Sequence, residues 1–288
     1  MFTVAERRAL DQLSTPTGHL GVLAADQRTK LVAARTAAGL SSDPESLREF
    51  KLDLVEALAP LAPAVLLDPE LGLPHVLEQG AFPARTGLLV SLERSGAIRT
   101  PEGLRAVELL PDHGAAGVRR LGGTGAKLLV RLRADREDAD GPNAAVIRAV
   151  AADCAARDLA LVVEVLTYRL DDEAEDAFAG RRGDLIRGGA LLAEAAGARY
   201  LKLEYPGGEA ACAAITDALE APWALLSAGV DHETFVGQLR AALAGGASGF
   251  IAGRSVWKEG VAMDRAARKE FLHGEARRRL EQLLAVVG

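Results

Sequence analysis

The sequence predicts an α/β protein built as a single (βα)8 barrel, a TIM barrel, over residues 1–288. Three observations predict it. Short leucine-rich or β-branched runs recur along the chain, each followed by a longer helical pattern, at 20–26, 64–69, 87–92, 125–132, 159–168, 198–206, 222–230 and 246–254. Most of these runs are almost wholly apolar and not alternating, as strands covered on both faces of a parallel sheet are. The length of 288 residues suits a barrel, which commonly takes about 250 residues. Two average domains would fit that length as well, but no linker of disordered composition divides the chain. The competing architecture is an open doubly wound sheet. A dinucleotide fold of that kind would open its first helix with Gly-x-Gly-x-x-Gly, and no such pattern follows 20–26.

The connecting segments carry their own signals. Ser42-Asp43-Pro44-Glu45 starts a helix with a capping residue, then proline and an acid in the first turn. Leu47, Phe50, Leu54, Ala57 and Leu58 then recur on one face. Segment 91–125 is the least regular, with an extra extended piece expected at 105–110 and a short helix at 115–121. A helix over 143–157 follows Gly141-Pro142, and the acid-rich 171–184 reads as a long loop after the fifth strand. Helices over 184–196 and 232–244 end at glycines. The stretch 264–287 reads as helical, with its basic residues largely on a solvated face. Its apolar positions could serve core or interface, which leaves a homo-oligomer open. The hydrophobic fraction of 49% suffices for a large core; aromatics are only 4%, and alanine and glycine dominate, so the helices should pack closely on the sheet.

Charge and cysteine usage exclude several classes. A net charge of −6 and an isoelectric point near 5.5 argue against a nucleic-acid partner, which needs a basic face to neutralise phosphates. Any anion site must therefore be a local pocket. Cys154 and Cys212 are too few for a disulfide framework or a cysteine metal cluster and read as small buried hydrophobes. The N-terminus lacks the apolar run of a signal peptide, and no run approaches the roughly 18 apolar residues of a membrane span. A soluble, cytoplasmic protein with no membrane partner is expected.

In a barrel, the C-terminal strand ends and the loops after them build the active site. The first strand ends in Asp26-Gln27-Arg28 and the second in Asp68-Pro69-Glu70; the fourth carries Lys127 nearer its start than its end. The fifth carries Glu164, the sixth Lys202, the seventh ends in Ser227-Ala228-Gly229 and the eighth in Gly253-Arg254. Each has a structural explanation. Asp26 could cap the following helix, Asp68 before proline reads best as a turn residue, and Lys127 with Glu164 could be an ion pair inside the barrel. Lys202 could pack its stem and reach solvent with its amine. What single explanations do not cover is the convergence of an acid, a lysine, an acid and a lysine from strands one, four, five and six. Nothing of the kind attaches to Glu204 or Tyr205.

Two chemistries follow. Ser227 and Gly229 offer a hydroxyl and close-approach amides, and Gly253 and Arg254 add an amide and a guanidinium fork, where such barrels often bind phosphate. A partly desolvated lysine beside another cation gives up its proton more readily and attacks carbonyls. The resulting Schiff base is an electron sink for breaking the adjacent carbon–carbon bond, and a nearby carboxyl group must shuttle protons while it forms. The five histidines show no metal-ligand spacing, so no metal or other cofactor is expected.

These residues resemble the class I tagatose-1,6-bisphosphate aldolases and the closely similar sulfofructosephosphate aldolases. The matching stretches are Ala25-Asp26-Gln27-Arg28, Leu66-Leu67-Asp68-Pro69-Glu70-Leu71-Gly72, Ala126-Lys127-Leu128-Leu129, and Val163-Glu164-Val165-Leu166-Thr167-Tyr168. They continue with Tyr200-Leu201-Lys202-Leu203-Glu204, Leu226-Ser227-Ala228-Gly229-Val230 and the long run from Ala247 through Gly253-Arg254-Ser255-Val256-Trp257. The resemblance implies a carbon–carbon lyase acting on a small sugar phosphate. It puts Lys202 on the Schiff-base lysine, Glu164 on the proton-transfer glutamate and Lys127 on the second lysine, a cation that would favour the neutral amine of Lys202. Asp26 falls near the hydroxyl deprotonated in cleavage. Ser227, Gly229, Gly253 and Arg254 fall on the site for the phosphate of the dihydroxyacetone phosphate half, with Gln27 and Arg28 near the substrate and Arg28 toward a second anionic end. The tagatose enzymes carry a longer insertion where this chain has Gly207-Gly208-Glu209, while Asp68-Pro69-Glu70 is closer to theirs. Tagatose 1,6-bisphosphate is therefore the leading substrate and 6-deoxy-6-sulfofructose 1-phosphate the alternative. A non-catalytic phosphosugar-binding barrel and an aldolase for a deoxy sugar phosphate are further readings.

Overall fold

The computed structural model describes residues 2–288. Eight parallel strands close into a barrel: β1 Leu20–Ala24, β2 Ala64–Leu67, β3 Gly87–Ser91, β4 Gly125–Arg131, β5 Ala160–Leu166, β6 Leu201–Leu203, β7 Trp223–Leu226 and β8 Gly249–Ala252. Their order around the barrel is the order in the chain, with β1 pairing to β2 on one side and β8 on the other. The open doubly wound alternative is thereby overturned. Strands buried on both faces need apolar side chains both inward and outward, which is why the runs do not alternate.

Two apolar layers result. Inside the barrel lie Val22, Leu66, Leu89, Val162, Ala224 and Ile251, with Leu13 closing the lower end. Outside, the sheet packs against the helices through a larger shell that includes Phe50, Leu54, Val163, Ile186 and Phe235. Close approach is built into the helix Glu175–Ala195: a Cβ on Gly189 would lie 3.1 Å from Val165 Cγ1. Both cysteines are buried as small hydrophobes.

Several expectations hold in detail. Asp43 caps the helix Pro44–Leu58, accepting the Ser46 amide at 2.9 Å, and Leu47, Phe50, Leu54, Ala57 and Leu58 are buried. The irregular segment contains a two-stranded ribbon, Ile98–Arg99 with Arg105–Ala106, and a helix Ala115–Arg120. No helix of the described residues is long and apolar enough to cross a membrane.

Other expectations need correction. The acid-rich 171–184 is only partly loop, because the next helix begins at Glu175; Glu175 and Asp176 sit in its first turn, where carboxylates are favoured by the positive helix end. The basic residues of 264–287 are not all solvated, since Arg268 is buried against Asp53 and over the Phe50 ring. Asp68 does hold a turn, accepting the amides of Glu70 and Leu71, but it is also fully buried and paired with Lys51. Lys51 in turn donates to the Ala25 carbonyl at 2.8 Å and so anchors the chain just before Asp26. An additional helix, Val4–Gln12, begins with a Thr3–Glu6 capping box and leads into Leu13 below the barrel.

Candidate active site

Parallel pairing places side chains of equal register on the same face. Leu129 pairs with Glu164 and Glu164 with Lys202, and Lys127 lies two residues before Leu129. With the side-chain period of two, Lys127, Glu164 and Lys202 all point into the barrel from three adjacent strands. They meet at the floor of a cavity of about 380 Å³ at the C-terminal strand ends.

The two lysines have different surroundings. Lys127 Nζ is 2.9 Å from Asp26, 2.7 Å from Glu93 and 2.9 Å from Glu164. Lys202 Nζ has one acidic partner, the same Glu164 Oε2, at 2.9 Å. Both lysines are buried, at 1% and 4% exposure. Burial disfavours a charged amine, but for Lys127 this is outweighed by the three carboxylates, which hold its proton well above the ordinary lysine range. Burial would likewise raise Asp26 and Glu164, yet Lys127 and Lys202 pull both below the usual carboxylate range. Glu93 goes the other way: burial dominates and raises it, despite Lys127.

The remaining predicted residues sit around this floor. Asp26 lies past the end of β1 and binds Lys127; it caps no helix, since the next one, Thr29–Ala37, has Arg28 at its cap and no side-chain capping bond. Gln27 and Arg28 line the cavity. Arg28, however, gives one terminal nitrogen to Glu70 and the other to the Glu93 carbonyl. Ser227, Ala228, Gly253 and Arg254 line the same cavity, the last two at the end of β8, the strand that pairs with β1. Ala228 and Gly229 both take positive φ, 49° and 87°, and neither amide donates a hydrogen bond among the described residues. Gly229 stands behind the wall, where a Cβ would lie 3.0 Å from the Arg254 guanidinium, so its lack of a side chain lets Arg254 fold over the turn and donate to Ala228 O at 3.1 Å. Gly253 is required by the Ala24 carbonyl, which would lie 2.2 Å from a Cβ.

Several residues of the cavity escaped the sequence reading. Glu93 binds Lys127 and accepts the Leu129 amide at 3.0 Å. It follows the end of β3, and inspecting that strand end like the others would have found it. Lys30 and Arg131 also line the cavity. Glu204, given no role from sequence, lines it too; its carboxylate accepts the Thr167 amide at 2.7 Å and Arg182 at 2.6 Å. Among the described residues no group of three or more His, Cys, Asp or Glu is placed to hold a metal ion. The amine of Lys127 fills the space between the three carboxylates.

Comparison with known proteins identifies the family. The profile of the DeoC/LacD family aldolases matches residues 21–259. Tagatose 1,6-diphosphate aldolase 2 of Enterococcus faecalis is 28% identical over 318 aligned positions, covering 99% of this chain and 94% of that protein. Tagatose 1,6-diphosphate aldolase of Listeria monocytogenes is 29% identical over 280 positions, covering 88% and 81%. Among solved structures, the fructose-bisphosphate aldolase from Slackia heliotrinireducens superposes with a TM-score of 0.67 at 16% identity, covering 99% of this chain and 91% of that one. That likeness shows a shared barrel. The matched family profile, spanning β1 to the turn after β8, shows more: the chain belongs to the DeoC/LacD family of aldolases and is a carbon–carbon lyase.

Proposed function

We propose that this aldolase works through a Schiff base on Lys202 and reversibly cleaves a phosphorylated ketohexose, with tagatose 1,6-bisphosphate the leading substrate. One observation carries the choice of nucleophile. Lys127 is held as an ammonium by three carboxylates, whereas Lys202 faces the cavity with a single partner, Glu164. An amine must lose its proton before it attacks a carbonyl, and only Lys202 has a carboxylate poised to take that proton without two others holding it.

In the proposed sequence, Glu164, ionised at rest, takes the proton of the Lys202 ammonium, the freed amine adds to the C2 carbonyl, and Glu164 returns the proton to the carbinolamine oxygen, which leaves as water. Asp26 removes the C4 hydroxyl proton, the C3–C4 bond breaks, and its electron pair passes into the iminium to give an enamine. Protonation at C3 and hydrolysis release dihydroxyacetone phosphate and free Lys202. Lys127 keeps Asp26 and Glu164 ionised and in place, while Glu93 fixes Lys127 from the other side. Ser227, the free amides at Ala228 and Gly229, Gly253 and Arg254 suit the C1 phosphate, and no metal or other cofactor enters any step. The names of the Enterococcus and Listeria relatives favour the bisphosphate. The immediate passage from Gly207-Gly208 into the helix Glu209–Ala218 favours the sulfosugar alternative, whose aldehyde product would be sulfolactaldehyde and not glyceraldehyde 3-phosphate.

Purified protein in a chelator should release dihydroxyacetone phosphate from tagatose 1,6-bisphosphate or from 6-deoxy-6-sulfofructose 1-phosphate, and the ratio of kcat/KM values decides between them. Ligand-induced thermal stabilisation with no cleavage of either would replace this reading with a non-catalytic sugar-phosphate barrel. Cleavage of deoxyribose 5-phosphate in preference to both would point to a deoxy sugar aldolase.

A further inference from the structure

We propose that Lys51 is a positioning residue for Asp26, holding the ends of β1 and β2 together from behind the cavity so that the Asp26 carboxylate meets the C4 hydroxyl. The inference rests on the aldolase reading above, in which Asp26 removes that proton, and it adds the support on which the step depends.

Lys51 breaks the pattern of its own helix. In Pro44–Leu58 it lies four residues after Leu47 and three before Leu54, in the middle of the buried stripe where an apolar residue belongs. It is 1% exposed, and its partner Asp68 is fully buried. Neither side chain lines the cavity, so neither touches the substrate. A buried ion pair is a poor way to stabilise a core, because the hydration lost by both ions commonly cancels their attraction. An apolar pair of similar volume often does as well or better. A position that breaks the local rule is expected to answer to function.

The function lies in what the pair holds. Lys51 Nζ donates to the Ala25 carbonyl at 2.8 Å. That carbonyl belongs to the peptide joining Ala25 to Asp26, so the bond fixes the plane from which the Asp26 side chain departs. One peptide earlier, buried Trp257 donates its Nε1 to the Ala24 carbonyl at 2.9 Å, and the Ala25 amide donates to the Leu66 carbonyl at 2.8 Å. Beyond Asp26, Arg28 is bound to Glu70, whose own amide donates to Asp68 at 3.2 Å. Both flanks of Asp26 thus lead back to the Lys51–Asp68 pair.

Asp26 needs this support. Among the described residues its carboxylate accepts only from Lys127, at 2.9 Å, and Lys127 is shared with Glu93 and Glu164. The aim of the carboxylate is therefore set by the backbone as much as by that bond. A misplacement of about 1 Å is enough to slow a reaction about 100-fold. The charge of Lys51 acts in the same direction as its hydrogen bond: burial raises Asp26, but Lys127, Lys202 and, last, Lys51 help hold it below the usual carboxylate range.

The test follows cleavage of the preferred ketohexose phosphate and, separately, borohydride trapping of dihydroxyacetone phosphate on Lys202, a step that does not use Asp26. Lys51→Met should lower kcat about 10–100-fold, with KM moved less than about threefold, as for an effect on the chemical step alone. The trapped adduct should form at its usual rate. In a double-mutant cycle, Lys51→Met should add no more than about twofold to the loss already caused by Asp26→Asn. Because Lys51→Met leaves Asp68 as a buried unpaired charge, the companion variant is the neutral pair Lys51→Met with Asp68→Asn. It keeps an oxygen for the turn amides and should show the same selective loss. Unchanged kcat in the neutral pair, losses that multiply with Asp26→Asn, or an equal loss of trapping each overturn the proposal. Trapping in the unaltered protein separates this failure from failure of the aldolase reading. No adduct there sinks both, whereas a normal adduct there together with any of those results sinks only the role of Lys51.

Discussion

Within one barrel, two layers a few residues apart have opposite chemistry. The lower layer is Val22, Leu66, Leu89, Val162, Ala224 and Ile251, sealed by Leu13. The upper layer is Asp26, Glu93, Lys127, Glu164 and Lys202. The same strands supply both: on β5, Val162 belongs below and Glu164, two residues on and on the same face, belongs above. Burying five charged groups is unfavourable by several kcal/mol per ion before pairing, and pairing often recovers no more than that. The upper layer therefore cannot be explained as a stabilising device. The lower layer and the outer shell supply the stability that lets the charges be held in place.

This contrast can be broken from either side. The largest effect should come from Glu164→Gln, which keeps the shape but removes the proton shuttle and the shared partner of both lysines. Turnover should fall about 10²–10⁴-fold, with thermal unfolding shifted far less than in a core variant. A variant that unfolds early but turns over normally would mean that Glu164 is structural. Next, Leu66→Ala in the lower layer should lose about 2–5 kcal/mol of unfolding free energy, measured by denaturant titration, while kcat of the folded protein stays within about twofold. A large loss of kcat at full stability would show that the layers are not separable.

The smallest effect should be in acid. Burial raises Asp26 and Glu164, but Lys127 and Lys202 outweigh it and leave both below the usual carboxylate range. Their contribution to stability is therefore present above about pH 4 and is lost as pH falls through their folded-state values. Glu93, raised by burial, works in the opposite sense: its share is present at low pH and lost as pH rises through its folded-state value. Asp26→Asn should thus flatten the acid limb of the stability curve, whereas Leu66→Ala should shift the whole curve down without changing its slope. An unchanged acid limb in Asp26→Asn would contradict the pairing with Lys127.

Most of the upper layer was legible in the sequence because a lysine or acid inside an otherwise apolar run is conspicuous, as with Lys127, Glu164 and Lys202. The barrel itself was legible from the same runs. What escaped depends on register and on what lies across the barrel. Glu93 sits past β3 in an irregular stretch, and its approach to Lys127 follows from Ser91 pairing with Lys127, which no local pattern reveals. Lys30 carries no local signal, and only the folded cavity brings it together with Arg131 and Arg254. The helix beginning at Glu175 was hidden because acids at a helix start have the composition of a loop. Arg28 is the reverse case: its motif was plain, but Glu70 and the Glu93 carbonyl that occupy it come from other strand ends.

The central claim is that Lys202, and not Lys127, is the nucleophile. Incubation with dihydroxyacetone phosphate and borohydride, followed by peptide mass analysis, tests it directly. The account predicts one reduced adduct, on the peptide containing Lys202, and none in Lys202→Met. An adduct on Lys127, or none on either lysine, would contradict it.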